Sequence, residues 1–144
     1  MKMPYKFIEG LTTADVAFEA RGKTLNELFE TAGMAVFDIM ANPNKVKKRI
    51  IKKFTIEENN LENLMFKFLD EILFFKDSKA LVFNSCKVDV KEKNGSFILA
   101  AALNGDSIDY KTQELKVDPK AITMHKFEVK KEKDVYLARV VADI

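Results

Sequence analysis

Histidine and cysteine are nearly missing from this chain of 144 residues, one of each, and that scarcity excludes whole classes of chemistry. A single cysteine, Cys86, forms no internal disulfide. One histidine and one cysteine fall short of the three or four such ligands that zinc sites use. With His125 alone, no Ser/His/Asp triad can be argued. Glycine and proline are also few, 5 and 3, which sets aside collagen-like and low-complexity chains. No Gly-rich phosphate loop and no G-x-x-x-x-G-K-[ST] pattern occurs, so nucleotide hydrolysis lacks its usual cradle. Apolar runs stay far below the ~18–20 residues of a membrane-crossing helix. Residues 1–10 hold only a short apolar stretch with no cleavage-site pattern. Charge of one sign is missing too: 24 basic against 22 acidic side chains leave +2, too little for a general nucleic-acid coat. Any charge-driven partner must therefore be met by a local patch. A reduced, cytoplasmic, globular protein is the expectation.

What is present is a core. Hydrophobic residues make up 47% of the chain, 12 of them Phe, enough for one domain over residues 1–144 without a disulfide or structural metal. Val16, Phe18 and Ala20 alternate with polar partners in the period of a half-buried strand. Gly22 ends that strand. Thr24-x-x-Glu27 is a capping box, in which each side chain can satisfy the other's orphan backbone donor. Leu25, Leu28, Phe29, Ala32, Val36 and Ile39 then follow at helical spacing until Asn42-Pro43-Asn44, where proline forces the preceding residue out of the α region. Residues 45–57 read as a strand, with Ile50, Phe54 and Ile56 on one face and Lys53 and Thr55 on the other. Asn59 or Asn60 caps a second helix, whose stripe runs through Leu61, Leu64, Met65, Phe68, Leu69, Ile72 and Phe75. Phe66, Leu73 and Phe74 widen its apolar arc, so burial on more than one side is expected.

The second half reads as strands. The apolar parity switches between Phe83 and Cys86, which predicts a bulge near Asn84-Ser85. Asn94-Gly95 is the signal of a two-residue hairpin, and a second pair, Asn104-Gly105, is expected to end the returning strand. Residues 106–118 read as a long loop or irregular strand. Residues 121–130 and 135–142 form a terminal hairpin. The predicted fold class is α+β: two helices packed on one mainly antiparallel sheet, in the order strand, helix, strand, helix and then a run of strands.

Few residues stand out for chemistry. Lys45, Lys47, Lys48, Arg49, Lys52 and Lys53 form a basic run with no acid among them. Such a run could hold RNA phosphates or an acidic protein face, or it could be a solvated loop and lysines guarding a sheet edge. Aromatic side chains are too sparse there for a base-stacking platform. Cys86, between apolar neighbours, reads as an inert thiol, and His125, where a strand begins, as a structural hydrogen-bonding residue. Asp15 precedes the first strong strand, and Asp143 and Ile144 follow the last one. Two Asp carboxylates and the α-carboxylate of Ile144, if brought together, would suit a hard divalent cation such as Ca²⁺ or Mg²⁺. The alternative is that Asp15 is a turn residue and the last residues complete a strand.

At these positions the sequence resembles the archease family. Thr13-Ala14-Asp15-Val16 resembles the H-T-A-D-[VI] signature, and Gly22-Lys23-Thr24-Leu25-x-Glu27-Leu28-Phe29, with Ala32 and Ala35-Val36-Phe37, resembles the segment after it. Residues 64–76, with Leu69-Asp70-Glu71-Ile72, resemble the family's second helix. Lys120-Ala121-Ile122-Thr123-Met124-His125 resembles K-A-[VI]-T-Y-H, and Asp143-Ile144 the closing D-I. Three departures stand out. Thr12 replaces a histidine, Met124 replaces a tyrosine, and Gln113, four residues after Asp109, stands where histidine is common. The resemblance implies an accessory protein rather than an enzyme: an activator of the RtcB-type tRNA-splicing RNA ligase that promotes its guanylylation and turnover. It also implies a divalent cation, calcium by family expectation, held by Asp15, Asp143 and Ile144. Two other classes stay open, a metal-dependent hydrolase using the same carboxylates and an RNA-binding or chaperone-like module using the basic run.

Overall fold

A helix buried on almost every side organises the molecule. In the computed structural model, which describes residues 4–8 and 15–144, Thr24 takes the N-cap position, the first half of the expected capping box. Thr24 Oγ1 accepts from the Glu27 amide at 3.1 Å, and helix α1 runs over Leu25–Met40. Its neighbours are strands β1 (Tyr5–Ile8) and β2 (Asp15–Gly22) before it, and β3 (Ile50–Glu58) and helix α2 (Leu61–Lys79) after it. Strands β4 (Leu81–Lys93), β5 (Ser96–Ser107), β6 (Ala121–Glu132) and β7 (Val135–Asp143) complete the order. Every pairing is antiparallel.

The strands form two sheets where one was expected: a four-stranded sheet ordered β1-β2-β7-β6 and a three-stranded sheet ordered β3-β5-β4. The α+β class and the two helices stand. The division arises because residues 108–120, after β5, carry the chain out of the smaller sheet and into the larger. Helix α1 packs against β2 on one side and β4 on the other, so one hydrophobic core serves both sheets. Phenylalanines connect its layers. Phe29 meets Phe68 at 5.7 Å between ring centroids, Phe37 meets Phe83 at 5.6 Å, and Phe54 lies 6.2 Å from Phe68. These separations are typical of attractive ring pairs. Helix α2 is buried on two sides, against the three-stranded sheet and against β6, where Phe66 meets Phe127. Phe74, expected to widen its buried arc, is instead 54% exposed.

Several boundaries moved for local reasons. Residues 43–45 form a 3-10 turn capped by the Asn42 side chain, with Pro43 in its first turn, so β3 begins at Ile50 and not at residue 45. The bulge falls where the parity switch put it, between Phe83 and Ser85. Asn94 and Gly95 both take positive φ, 53° and 82°, as the tight hairpin requires. Asn104-Gly105 does not end β5, which continues to Ser107. Gly105 is there for close approach: a Cβ on it would lie 2.0 Å from the Val82 carbonyl oxygen, opposite the bulge. A glycine inside a strand marks such a site.

Gly105→Ala is therefore expected to cost about 1–3 kcal/mol, toward the upper end because the obstacle is backbone. Gly95→Ala meets nothing within 4 Å and should cost only the left-handed backbone penalty, about 1 kcal/mol. Urea denaturation of the two variants checks the order, and a reversed order would remove the close-approach explanation.

Candidate functional site

Strand β2 presents Phe18 and Ala20 to the core, both fully buried, so Asp15, Ala17, Glu19 and Arg21 lie on the opposite face. Its partner is β7, in a register that sets Asp15 opposite Asp143, Ala17 opposite Val141 and Glu19 opposite Arg139. This register brings two carboxylates together that are far apart in the chain. On the other side of β7, Ala121 of β6 stands opposite Asp143, and the Lys120 amide donates to the Asp143 carbonyl at 2.7 Å. Ile144 follows directly, half-buried. Asp15, residues 120–123 and Asp143-Ile144 thus meet at one end of the four-stranded sheet. Thr12, Thr13 and Ala14, which complete the first motif, lie outside the described residues.

Among the described residues, no group of three or more His, Cys, Asp or Glu side chains is placed to hold a metal ion. Among the described residues, the carboxylate side chains at this end are those of Asp15 and Asp143, hard oxygen ligands of the kind Ca²⁺ and Mg²⁺ prefer. In kind the pair fits a hard cation and not a soft one.

His125 is not at the start of a strand. It sits in a wide bulge of β6, between Thr123 and Glu128, where Lys126 takes φ 53°. Its side chain is exposed, as is Met124 at 57%. The bulge adjoins the Thr123–Val141 rung, next but one to Asp143. Gln113 is 2% exposed and structural: its Oε1 accepts from the Asp109 amide at 2.7 Å, and its Nε2 donates to the Ser107 carbonyl at 2.8 Å. Burial, with Glu30 adding to it, pushes the Cys86 thiol up to about 12, so the thiol stays protonated and inert. In the basic run, Lys47, Lys48 and Arg49 are exposed ahead of β3, while Lys52 is half-buried on its helix-facing side.

A charged cluster that sequence reasoning missed lies two rungs from the aspartates, ~14 Å along β2 by strand rise. The Glu19 side chain is 8% exposed on the face away from the core. Arg21 reaches its Oε1 at 3.1 Å, Arg139 its Oε2 at 3.4 Å, and Lys6 its Oε1 at 3.8 Å. The one available signal was the i, i+2 spacing of Glu19 and Arg21. Arg139 could be found only through the register. A separate cavity of about 300 Å³ lies elsewhere, lined by Met40, Lys76, Val82, Ile108 and Leu115 among others. Its buried Lys76 ammonium is bonded to Asp118, to Asp77 at 2.8 Å and to the Pro119 carbonyl at 2.7 Å.

The model of the archease protein family (MTH1598/TM1083) matches residues 5–144. This chain belongs to the archease family. It is 35% identical to the protein archease of Pyrococcus furiosus over 133 residues, covering 92% of this chain and 94% of that one. It is 34% identical to the archease of Archaeoglobus fulgidus, covering 99% and 100%. The solution structure of Methanobacterium thermoautotrophicum protein 1598 superposes with a TM-score of 0.87 at 30% identity, over 99% of this chain and 100% of that one. A Thermotoga maritima archease, described as a possible chaperone, shares the fold at 19% identity and a TM-score of 0.62, over 92% and 93%. No described helix is long and apolar enough to cross a membrane.

Glu19 gives this archease sheet a pH dependence. Burial alone would raise its carboxyl pKa, but the bonds from Arg21 and Arg139, with Lys6 nearby, outweigh that and hold it below the usual carboxylate range. A depressed folded-state pKa stabilises the fold above the unfolded value of ~4.3, and that stability is lost as pH falls through the folded value. Glu19→Gln is expected to cost roughly 1–2 kcal/mol near pH 7, discounted because the arginines are about half in solvent. The gap from wild type should close below about pH 4. Denaturation midpoints at pH 7 and pH 3 test this, and an equal gap at both would dissociate the cluster from stability.

Proposed function

We propose that this archease is an accessory protein that activates an RtcB-type tRNA-splicing RNA ligase in the cytoplasm by promoting its guanylylation and turnover, and is not itself an enzyme. The observation that carries the reading is the meeting of Asp15, residues 120–123 and Asp143-Ile144 on one sheet end, in a chain of this family. Such a ligase is guanylylated on its own histidine, using GTP and a divalent metal, before it joins RNA ends. An activator of that step needs no nucleotide cradle of its own, which agrees with the missing phosphate loop. RNA contact is then indirect, through the ligase.

Asp15, Asp143 and the carboxylate of Ile144 would hold a divalent cation, calcium by the family expectation. Like charges directly opposite across a strand pair destabilise a sheet. Held by these residues, a divalent cation would offset charge on the carboxylates and would offer positive charge to a partner's acidic or phosphate groups. Asp15 and Asp143, paired at the end of the four-stranded sheet, would place such an ion at that end of the sheet.

In the deciding experiment, this protein is added to its cognate ligase with GTP, and both guanylylated ligase and multiple-turnover ligation are followed. Both should rise. GTP consumption by the archease alone at a comparable rate would replace the proposal with the hydrolase reading, and tight, salt-sensitive RNA binding by it alone, with no effect on the ligase, would replace it with the RNA-binding reading. The cation is tested separately. Ca²⁺ at a hundredfold excess over Kd stabilises a binding fold by about 2.7 kcal/mol, a rise in Tm on the order of 10 °C for a chain of this size. Asp15→Asn and Asp143→Asn should each abolish most of the rise, as should adding residues after Ile144. A full response in all three variants would place the ion elsewhere.

A further inference from the structure

The two outer strands of the three-stranded sheet are treated differently. Along β4, whose outward amides would otherwise be open, helix α1 supplies acceptors: Glu30 Oε2 takes the Val88 amide at 2.8 Å and Asn26 Oδ1 the Val90 amide at 2.7 Å. The edge of β3 away from β5 pairs with no strand among the described residues. Every second amide and carbonyl along Ile50–Glu58 points outward there, which makes the strand a template for another strand.

The sequence of that edge is self-complementary. It reads Ile50-Ile51-Lys52-Lys53-Phe54-Thr55-Ile56-Glu57-Glu58, basic before its centre and acidic after it. Laid antiparallel on itself about Thr55, it sets Lys53 opposite Glu57, Lys52 opposite Glu58 and Phe54 opposite Ile56, each pair occurring twice. Other registers lose this match. Centring on Phe54 puts Ile51 against Glu57, centring on Lys53 puts lysine against lysine, and a parallel arrangement sets every charge beside its like. Registers centred between residues mismatch the outward amides. Among the described residues, Lys53 and Glu57 are exposed and have no ion-pair partner, whereas Glu58 already holds Lys67 at 2.7 Å. Phe54 and Ile56 are only half-buried on the helix-facing side and would gain cover from each other.

We propose that β3 pairs antiparallel with β3 of a second copy of this chain, about a two-fold axis through Thr55, joining two three-stranded sheets into one continuous sheet. The interface is isologous, as closed homodimers require, and its specificity comes from the Lys53–Glu57 pairs on the solvent face. The lysines that would repel an unrelated basic strand become the device that selects this one. The inference is independent of the ligase reading.

Sedimentation velocity on the full chain over a range of concentrations and salt tests it. A concentration-dependent dimer that weakens as salt is added is expected. Lys53→Glu or Glu57→Lys alone should each weaken association about tenfold or more, since each turns two opposite-charge pairs into like pairs. The double variant Lys53→Glu/Glu57→Lys restores complementarity and should recover the dimer. Thr55→Cys adds an independent test of register. Residues facing each other across the axis have Cβ atoms ~5 Å apart, so mild oxidation should cross-link it. Ile51→Cys should not cross-link, because its own copy lies ~27 Å away along the strand. A monomer at the highest soluble concentration, a dimer indifferent to the charge reversals, or cross-linking through position 51 in preference to 55 would overturn the proposal.

Discussion

Burial of helix α1 is the constraint on which the rest of the architecture turns. Ten of its sixteen residues are buried, so any polar group it carries must find a partner inside the protein or cost several kcal/mol. Each partner it finds ties a different element to the helix. Asn26 and Glu30 close the β4 edge. Asp38 accepts from the Tyr5 hydroxyl at 3.1 Å and from Lys116 at 2.6 Å, which fixes β1 and the loop after β5 to the same turn. Burial, with Asp38 beside it, pushes the Tyr5 phenol up to about 12, so this bond keeps its donor at any ordinary pH. Gly33 lets the helix come close. A Cβ there would stand 3.1 Å from Cys86 Sγ and 3.3 Å from Phe68, so a larger residue would separate α1 from both β4 and α2.

From that helix the constraint passes to the site through a loop. Residues 108–120 link the two sheets and must follow one path, because the rung opposite Asp143 begins where they end. Gln113 closes the first turn on Asp109 and Ser107. Asn42 holds Glu114 at 2.5 Å, and the backbone of Leu115 bridges to Ala41 at the end of α1. Lys76 then fastens Asp118 and the Pro119 carbonyl. Lys76 is buried while its two carboxylate partners reach into solvent, so the buried bond to the Pro119 carbonyl is the one that fixes this lysine to the loop. Two residues on, the Lys120 amide reaches the Asp143 carbonyl. An interior cation at the end of α2 thus sets the strand that flanks the carboxylates.

Local chemistry was legible in the sequence, and pairing between distant segments was legible only in part. Thr24, Asn60 and Asn94-Gly95 act through neighbours a few residues away, and each does what its chemistry implies. The bulge at Asn84 was visible because one extra residue reverses every later side chain. Strand β2 beside β7 was implied only if Asp15 and Asp143 were to meet, since neither strand's alternation names its partner. The division into two sheets left no local mark, since it depends on where residues 108–120 lead the chain. At four residues, β1 is too short to show a period. Gly105 carries the same Asn-Gly signal as Gly95, and only contact with Val82 shows that it serves close approach and not a turn. Glu19 looked like the polar member of an alternating strand. Its burial appears once Arg139 stands opposite.

The outer face of the four-stranded sheet therefore carries acid in two opposite electrostatic settings. In the middle of the strands Glu19 has three cations around it, and its charge is spent inside the protein. At the end of the same strands Asp15 and Asp143 face each other across the pairing, acid against acid, with small Ala121 as the next residue across the sheet. The Ala17–Val141 rung between them is buried and apolar, which separates the two settings by more than a Debye length at physiological salt, ~8 Å. The arginines that neutralise Glu19 thus do little for the aspartates. The acidic residues at the end of the sheet are therefore set apart electrostatically from the Glu19 cluster.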